Sequence, residues 1–233
     1  MSLHGRKEVI GDCTLYLGDC REILPELGVF ETIVTDPPYG MNYRSRQEKW
    51  KQVKIANDDT TDSLAWICAK EAIHSKYVFC RWDGLLAVPT PNSCITWVKN
   101  NWTIGDVRHE HARQTEMILF YAGKQHFFPG TRPCDVVTCP KTQNEYHPTE
   151  KPLALMRTIC GWTSGTVVDP FMGSGTTGVA SVALRRRFIG IEINPNYFEV
   201  ACKRITEASR QLDLFVVEQE STEQLRLQLE QAS

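Results

Sequence analysis

Hydrophobic positions in this chain fall into short runs, each closed by turn or helix-start residues. Thr14-Leu15-Tyr16-Leu17 alternates and then meets Gly18-Asp19-Cys20, which predicts a strand ending at a turn. Asp19 is placed to cap a short helix over Arg21 to Leu27, with Glu22 in its first turn. Thr32-Ile33-Val34-Thr35 is a β-branched run and predicts a buried strand. Ser63 to His74 carries Leu64, Ile67, Cys68 and Ala72 at helical spacing. Further strands are predicted at Tyr77 to Cys80, Cys94 to Val98, Glu116 to Tyr121, Gly165 to Asp169 and Phe188 to Glu192. Helices are predicted over Leu153 to Trp162, with Pro152 in its first turn and Thr149 helping to cap it, and over Val179 to Arg187. Asn194-Pro195 opens a last helix running through Ile205, and strands alternating with helices in this way predict an α/β fold.

Two loops interrupt that rhythm with chemistry. Asp36-Pro37-Pro38-Tyr39-Gly40 follows the strand at Ile33. Neither proline can donate to a sheet ladder and each fixes its own φ, so the loop is stiff. It sets an acid beside an aromatic ring at a strand's carboxyl end, where open α/β sheets bind ligands. A carboxylate and backbone carbonyls there can accept hydrogens from an amino group, and the tyrosine ring can stack on a planar one. The second loop, Asp169-Pro170-Phe171-Met172-Gly173-Ser174-Gly175-Thr176-Thr177, joins a strand to a helix N-terminus. Gly173 and Gly175 let backbone approach a ligand closely, and the helix start offers free N–H groups. It is neither G-x-G-x-x-G nor a phosphate loop with its lysine, so the bound group need not be a phosphate. Glu192 ends the next strand at the distance where an acid holds ribose hydroxyls.

Basic and aromatic residues cluster where periodicity is lost. Arg44, Arg46, Lys49, Trp50 and Lys51 follow Tyr39, and Arg108 and Arg113 lie in a second such stretch with Trp102. Both read as surfaces for tracking phosphates and stacking bases. They carry the nucleic-acid reading, because the 233 residues have a formal net charge of only -2. Arg185-Arg186-Arg187 reads first as a cap on the negative end of its own helix. The nine cysteines include no C-x-x-C, and Cys134, Cys139, His126 and His147 match no zinc module, so no metal is expected. Free thiols, a polar N-terminus and the lack of a long apolar run lead to the expectation of a cytoplasmic protein of a bacterium or a phage-infected cell, with no membrane association.

Taken together, the Asp-Pro-Pro-Tyr loop, the glycine turn, Phe188 to Glu192 and His147 to Pro152 resemble the S-adenosylmethionine-dependent DNA amino-methyltransferases. The catalytic loop comes first and the cofactor loop late, which resembles the permuted β class. The resemblance spans about Leu15 to Ile205. It implies a Rossmann-like doubly wound methyltransferase sheet, mostly parallel, with circularly permuted motif order. It implies catalytic roles for Asp36, Pro37, Pro38 and Tyr39, the last stacking on a base flipped out of the duplex. It implies cofactor contacts from Asp19, Cys20, Asp36, Thr149, Lys151, Pro152, Asp169, Pro170, Phe171, Gly173, Ser174, Gly175, Thr176 and Glu192. Asp at the head of the catalytic loop leans to N6 of adenine, and cytosine N4 is the alternative. More remote readings are an RNA methyltransferase and a silent DNA-binding module. The cysteines are read as thiols rather than as a nucleophile for cytosine C5.

The expected layout is a single catalytic domain over 1–210 with DNA-contacting loops at about 41–62 and 99–114. A recognition segment at about 124–146 is short for extended sequence specificity, and a tail follows from 211 to 233. Double-stranded DNA is the expected partner, and a homodimer is a further expectation from the resemblance. Gln211-Leu212-Asp213-Leu214-Phe215 resembles the pentapeptide with which bacterial proteins dock on the replication sliding clamp, but packing of Leu212 and Phe215 on the last helix is the preferred reading.

Overall fold

The computed structural model describes residues 5–41, 55–56, 58–101 and 111–212. Strands β1 (Lys7–Ile10), β2 (Cys13–Leu17), β3 (Thr32–Thr35), β4 (Ser75–Cys80), β5 (Ser93–Val98), β6 (Thr115–Ala122), β7 (Val136–Thr138), β8 (Val167–Asp169) and β9 (Phe188–Glu192) form one sheet. Their order is β1-β2-β9-β8-β3-β4-β6-β5-β7. From β2 to β4 every neighbouring pair is parallel, so β2, β9, β8, β3 and β4 all end on one edge. The far side turns antiparallel at β4–β6 and β6–β5. The helices are α1 (Cys20–Ile23), α2 (Asp62–Cys68), α3 (Leu153–Gly161), α4 (Thr176–Ala183) and α5, helical over residues 195–212.

Period-two side-chain alternation makes two cores from one sheet. Leu15, Val34, Tyr77, Phe79, Ile118 and Val167 face one way, packing with Leu155, Ile159, Phe198 and Ile205. Tyr16, Ile33, Val78, Leu119 and Val168 face the other, packing with Ile23, Leu64 and Ile67. Burying each Leu or Phe is worth about 1.5–3 kcal/mol, which favours this register over a one-residue slip that would exchange the faces. The chain runs outward from β3 to β4 on one side and from β8 through β9 on the other. The junction of β3 and β8 is therefore the switch point at which such sheets bind ligands.

Several elements differ from the sequence-based expectation. Helix α2 ends at Cys68, well before His74, because the Lys76 ammonium caps the carbonyls of Cys68 and Lys70 while Ile73 N–H and His74 N–H donate to Phe30 and Glu31. Pro152 is the residue before α3, in extended backbone with no side-chain cap, and Thr149 bonds His147 instead. Helix α4 starts at Thr176 and stops at Ala183, where Arg185 takes the left-handed conformation (φ 52°). Arg186 then caps a different helix: its guanidinium donates to Cys160 and Thr163 carbonyls at the end of α3 and to Gly165. Segment 124–146 contributes β7 to the sheet, paired in parallel with β5, and Phe128 stacks on Phe120 with ring centres 6.0 Å apart. At the far end, Leu212, the last residue of α5, packs on the core; Asp213, Leu214 and Phe215 lie outside the described residues.

Candidate active site

The carboxyl ends of β2, β9, β8, β3 and β4 open into a cavity of about 490 Å³. Asp36 enters it from β3 and Asp169 from β8. The Thr35 hydroxyl donates to Asp169 Oδ1 at 2.6 Å, tying the two strand ends together. The loop after Asp36 is held by Asp58, whose Oδ1 accepts from the N–H groups of Tyr39 (3.0 Å), Gly40 (3.0 Å) and Met41 (3.2 Å). Gly40 is required there: its φ is 76°, and a Cβ would lie 2.7 Å from the Thr60 carbonyl carbon.

Asp36 belongs to a buried charge network that the sequence does not reveal. One of its oxygens accepts from the Tyr39 hydroxyl and the other from the Lys151 ammonium. The same Tyr39 hydroxyl lies 3.0 Å from Glu116 Oε1, so its one proton is shared between the two carboxylates. Lys151 reaches the same Glu116 oxygen at 3.0 Å, and Lys99 pairs with Glu116 Oε2 at 2.8 Å. The four charged side chains retain 9–20% exposure, so little water screens them. Burial lifts the Asp36 carboxyl above the ordinary carboxylate range despite Lys151. Glu116 pays the same desolvation but has two ammonium partners, Lys151 and Lys99, which bring its carboxyl below the ordinary range. Burial, with Asp36 and Glu116 beside it, pushes the Tyr39 hydroxyl well up, so it stays a donor.

On the β8 side, Asp169 is 3% exposed and spends both oxygens inside the protein. Besides Thr35 it accepts from Thr177 Oγ1 at 2.5 Å and Phe171 N–H at 3.1 Å. It braces the glycine turn rather than presenting a free carboxylate. Glu192 accepts from Gly173 N–H at 2.9 Å and Asn194 N–H at 2.7 Å, yet burial still raises its carboxyl to about 7. His147 lies over Gly173, its ring 4.4 Å from that of Tyr197, and burial holds its imidazole down to about 4, neutral at physiological pH. Arg204 on α5 ties the two loops together, donating to the Ser174 carbonyl at 2.8 Å and pairing with Glu150 at 2.9 Å.

The cavity gathers most of the residues singled out from sequence: Asp19, Cys20, Asp36, Pro37, Pro38, Tyr39, Arg113, Thr149, Lys151, Asp169, Pro170, Phe171, Gly173, Ser174, Thr176 and Glu192. Pro152 and Gly175 do not line it. Asp19 caps α1 by accepting from Arg21 N–H at 2.8 Å while also lining the cavity. Arg44, Arg46, Lys49, Trp50, Lys51 and Arg108 lie outside the described residues. Glu116, Lys99, Asp58 and Arg204 escaped sequence reading because each acts through a partner distant in the chain. Pro133-Cys134 is a Pro-Cys dipeptide, but Cys134 is exposed and does not line the cavity. The cysteine that does line it, Cys20, has its thiol pushed up to about 12 by burial, so no thiolate is available beside Asp36. All nine cysteines are free thiols, and no metal-binding cluster occurs among the described residues. No helix among them is long and apolar enough to cross a membrane.

This arrangement has counterparts. A family model described as DNA methylase matches residues 131–203. YubD of Escherichia coli (strain K12), named as a methylase, is 30% identical over 218 residues, covering 83% of this chain and 90% of YubD. The E. coli DNA adenine methyltransferase YhdJ is 47% identical over 68 residues, or 28% of this chain and 23% of YhdJ. The crystal structure of the M1.HpyAVI–SAM complex superposes with a TM-score of 0.57 at 28% identity, over 82% of this chain and 99% of that one.

Proposed function

The chain belongs to the DNA methylase family and uses S-adenosylmethionine, and from that premise we propose that it methylates the exocyclic N6 of adenine in double-stranded DNA, with Asp36 receiving the amino group. The observation that carries this reading is the position of the Asp36 carboxylate. It faces the same cavity as the glycine turn, one strand away, at the switch point of the sheet.

The residues suit the cofactor. Glu192, at a strand end on the cavity wall, is an acceptor for ribose hydroxyls. Phe171, Pro170 and Ile193 supply apolar wall, and Asp19 a further acceptor. At Gly173 an added Cβ would meet only ordinary contact, 3.7 Å from the His147 ring that lines the same cavity. Bound there, S-adenosylmethionine supplies an electrophilic sulfonium methyl group.

The remaining chemistry belongs to the chain. An exocyclic amino nitrogen is a poor nucleophile because its lone pair is delocalised into the ring. Asp36 and the Pro37 carbonyl accept its hydrogens and favour a more pyramidal nitrogen, so positioning and electrostatics supply most of the acceleration. The nitrogen must shed a proton after transfer, and burial makes Asp36 more basic than an ordinary carboxylate, which suits it as the first acceptor. The Tyr39 ring, fixed through its hydroxyl, is a stacking wall for the flipped base. Arg113 at the rim, with the basic residues at 44–51 and Arg108, would track the backbone. Adenine is preferred over cytosine because an aspartate heads the catalytic loop and because the relative YhdJ is a DNA adenine methyltransferase.

The test is label transfer from S-adenosylmethionine to duplex DNA, followed by nucleoside analysis. N6-methyladenine is the expected product, lost in Asp36→Ala with cofactor binding retained. N4-methylcytosine would overturn the base assignment, and unlabelled DNA from a cofactor-bound protein would overturn the reading.

A further inference from the structure

Both oxygens of Asp36 are occupied, one by the Tyr39 hydroxyl and one by the Lys151 ammonium. An incoming amino group must therefore share or displace one of them. Lys151 is 9% exposed, and its ammonium lies 4.9 Å from the ring centre of Phe79 and 5.7 Å from that of Tyr39. An ammonium left there without a carboxylate would be strongly destabilising. Lys151 has a second carboxylate, Glu116, at 3.0 Å, and Glu116 is anchored from its other side by Lys99 at 2.8 Å. Within this network two carboxylates are matched by two ammonium groups.

We propose that Glu116 is a positioning residue: it retains Lys151 when the amino group of the target base takes the place of Lys151 on Asp36. This rests on the reading of Asp36 as the amino-group acceptor. Glu116 touches neither base nor methyl donor in this scheme. It makes the exchange on Asp36 feasible by keeping the displaced cation paired. The groups facing Asp36 are Tyr39 on its own loop, Glu116 on β6, Lys99 following β5, Lys151 before α3 and Asp169 at the end of β8. His147 adjoins Lys151 but is neutral.

The experiment compares Glu116→Gln, Lys151→Met and the double variant with the wild-type chain, measuring kcat against pH, the S-adenosylmethionine Kd and the melting temperature. Glu116→Gln removes an anion from beside Asp36 and leaves Lys151 committed to Asp36. Its kcat should fall by about tenfold or more, its cofactor Kd should hold, and the acid limb of its pH profile should move to lower pH. Lys151→Met removes the cation, so its acid limb should move to higher pH. The double variant should recover part of the Glu116→Gln loss, because no ammonium then competes for Asp36. A Glu116 that merely supports the fold would lower stability and activity together and leave the limb in place, and that result overturns the proposal. So does a Glu116→Gln protein with wild-type kcat. If the wild-type chain itself transfers no methyl group to DNA, the reading of the site fails and the proposal falls with it, an outcome recognisable because the unmutated protein is silent.

Discussion

The Thr35 hydroxyl donates to Asp169 Oδ1 at 2.6 Å, joining the strand that leads into the catalytic loop to the strand that leads into the glycine turn. Thr35 is fully buried, and the two residues are neighbours only because β3 and β8, distant in sequence, are adjacent at the sheet's switch point. Thr35→Val keeps the shape and removes the donor, leaving Asp169 with Thr177 and Phe171 alone. Loss of one donor to a buried carboxyl should cost about 1–3 kcal/mol, read as a lower urea midpoint at unchanged slope. The cofactor Kd should rise as well, because the turn that Asp169 braces is the one facing the cavity. Thr35→Ser, which restores the hydroxyl, should recover most of both.

Gly173 and Gly175 both adopt left-handed backbone, at φ 53° and 83°, but a side chain would meet different surroundings at the two positions. At Gly175 a Cβ would lie 2.8 Å from Ala201 Cβ, inside the packing of α4 on α5. At Gly173 it would rest in ordinary contact with the His147 ring, 3.7 Å away, on the cavity side. Alanine at either position pays about 1–2 kcal/mol of backbone strain, and at Gly175 a clash is added. Gly175→Ala should therefore have the lower melting temperature. Gly173→Ala should melt closer to wild type yet bind S-adenosylmethionine more weakly in calorimetry, because its methyl group occupies cavity space.

Arg186 shows how a motif can be read correctly in kind and wrongly in target. Three consecutive arginines after a helix suggest a cap for that helix, but Arg186 satisfies the carbonyls of Cys160, Thr163 and Gly165 at the end of α3. Arg187 reaches Glu31 only at 3.7 Å and is 70% exposed. Arg186→Met should destabilise the fold by about 1–3 kcal/mol because the Thr163 and Gly165 carbonyls lose their guanidinium donor, Cys160 keeping the Thr163 N–H and hydroxyl, while Arg187→Met should change stability by less than about 0.5 kcal/mol. Parallel denaturation curves check the contrast.

The central strands were legible because they are the doubly buried kind, continuous and rich in β-branched residues, as at Thr32–Thr35, whereas the half-exposed edge strand β1 in the polar N-terminal stretch was not. The glycine turn and the Asp36 loop were legible because stiff or left-handed backbone needs particular residues. Three-residue β7 was not: Val136-Val137-Thr138 lies in a polar stretch and forms a strand only because β5 offers an edge. Glu116 was not either. At the head of β6 it looks like a solvent-facing strand end, and only the fold brings Lys99 and Lys151 to its two oxygens. Local signals give the loop that carries the acid; the partners that set its charge come from tertiary placement.

Glu192 makes cofactor binding pH-dependent with a definite sign. Burial raises its carboxyl to about 7, although Gly173 and Asn194 donate to it. Below that pH the unliganded protein carries it protonated. Ribose hydroxyls donate more strongly to the ionised form, so binding favours the carboxylate and releases a proton. Affinity should then rise with pH through 7 and level off above it. With only the ionised form binding, the ionised fraction changes from about one in eleven at pH 6 to about ten in eleven at pH 8, so Kd should fall about tenfold. Titration calorimetry in two buffers of different ionisation heat reads both the affinity and the proton released. The amino group of S-adenosylmethionine itself titrates near this range, and Glu192→Gln separates the two effects: the variant should bind more weakly at pH 8 and lose the tenfold dependence, while any contribution from the ligand stays the same. An equal pH dependence in both proteins would remove Glu192 from the cofactor site.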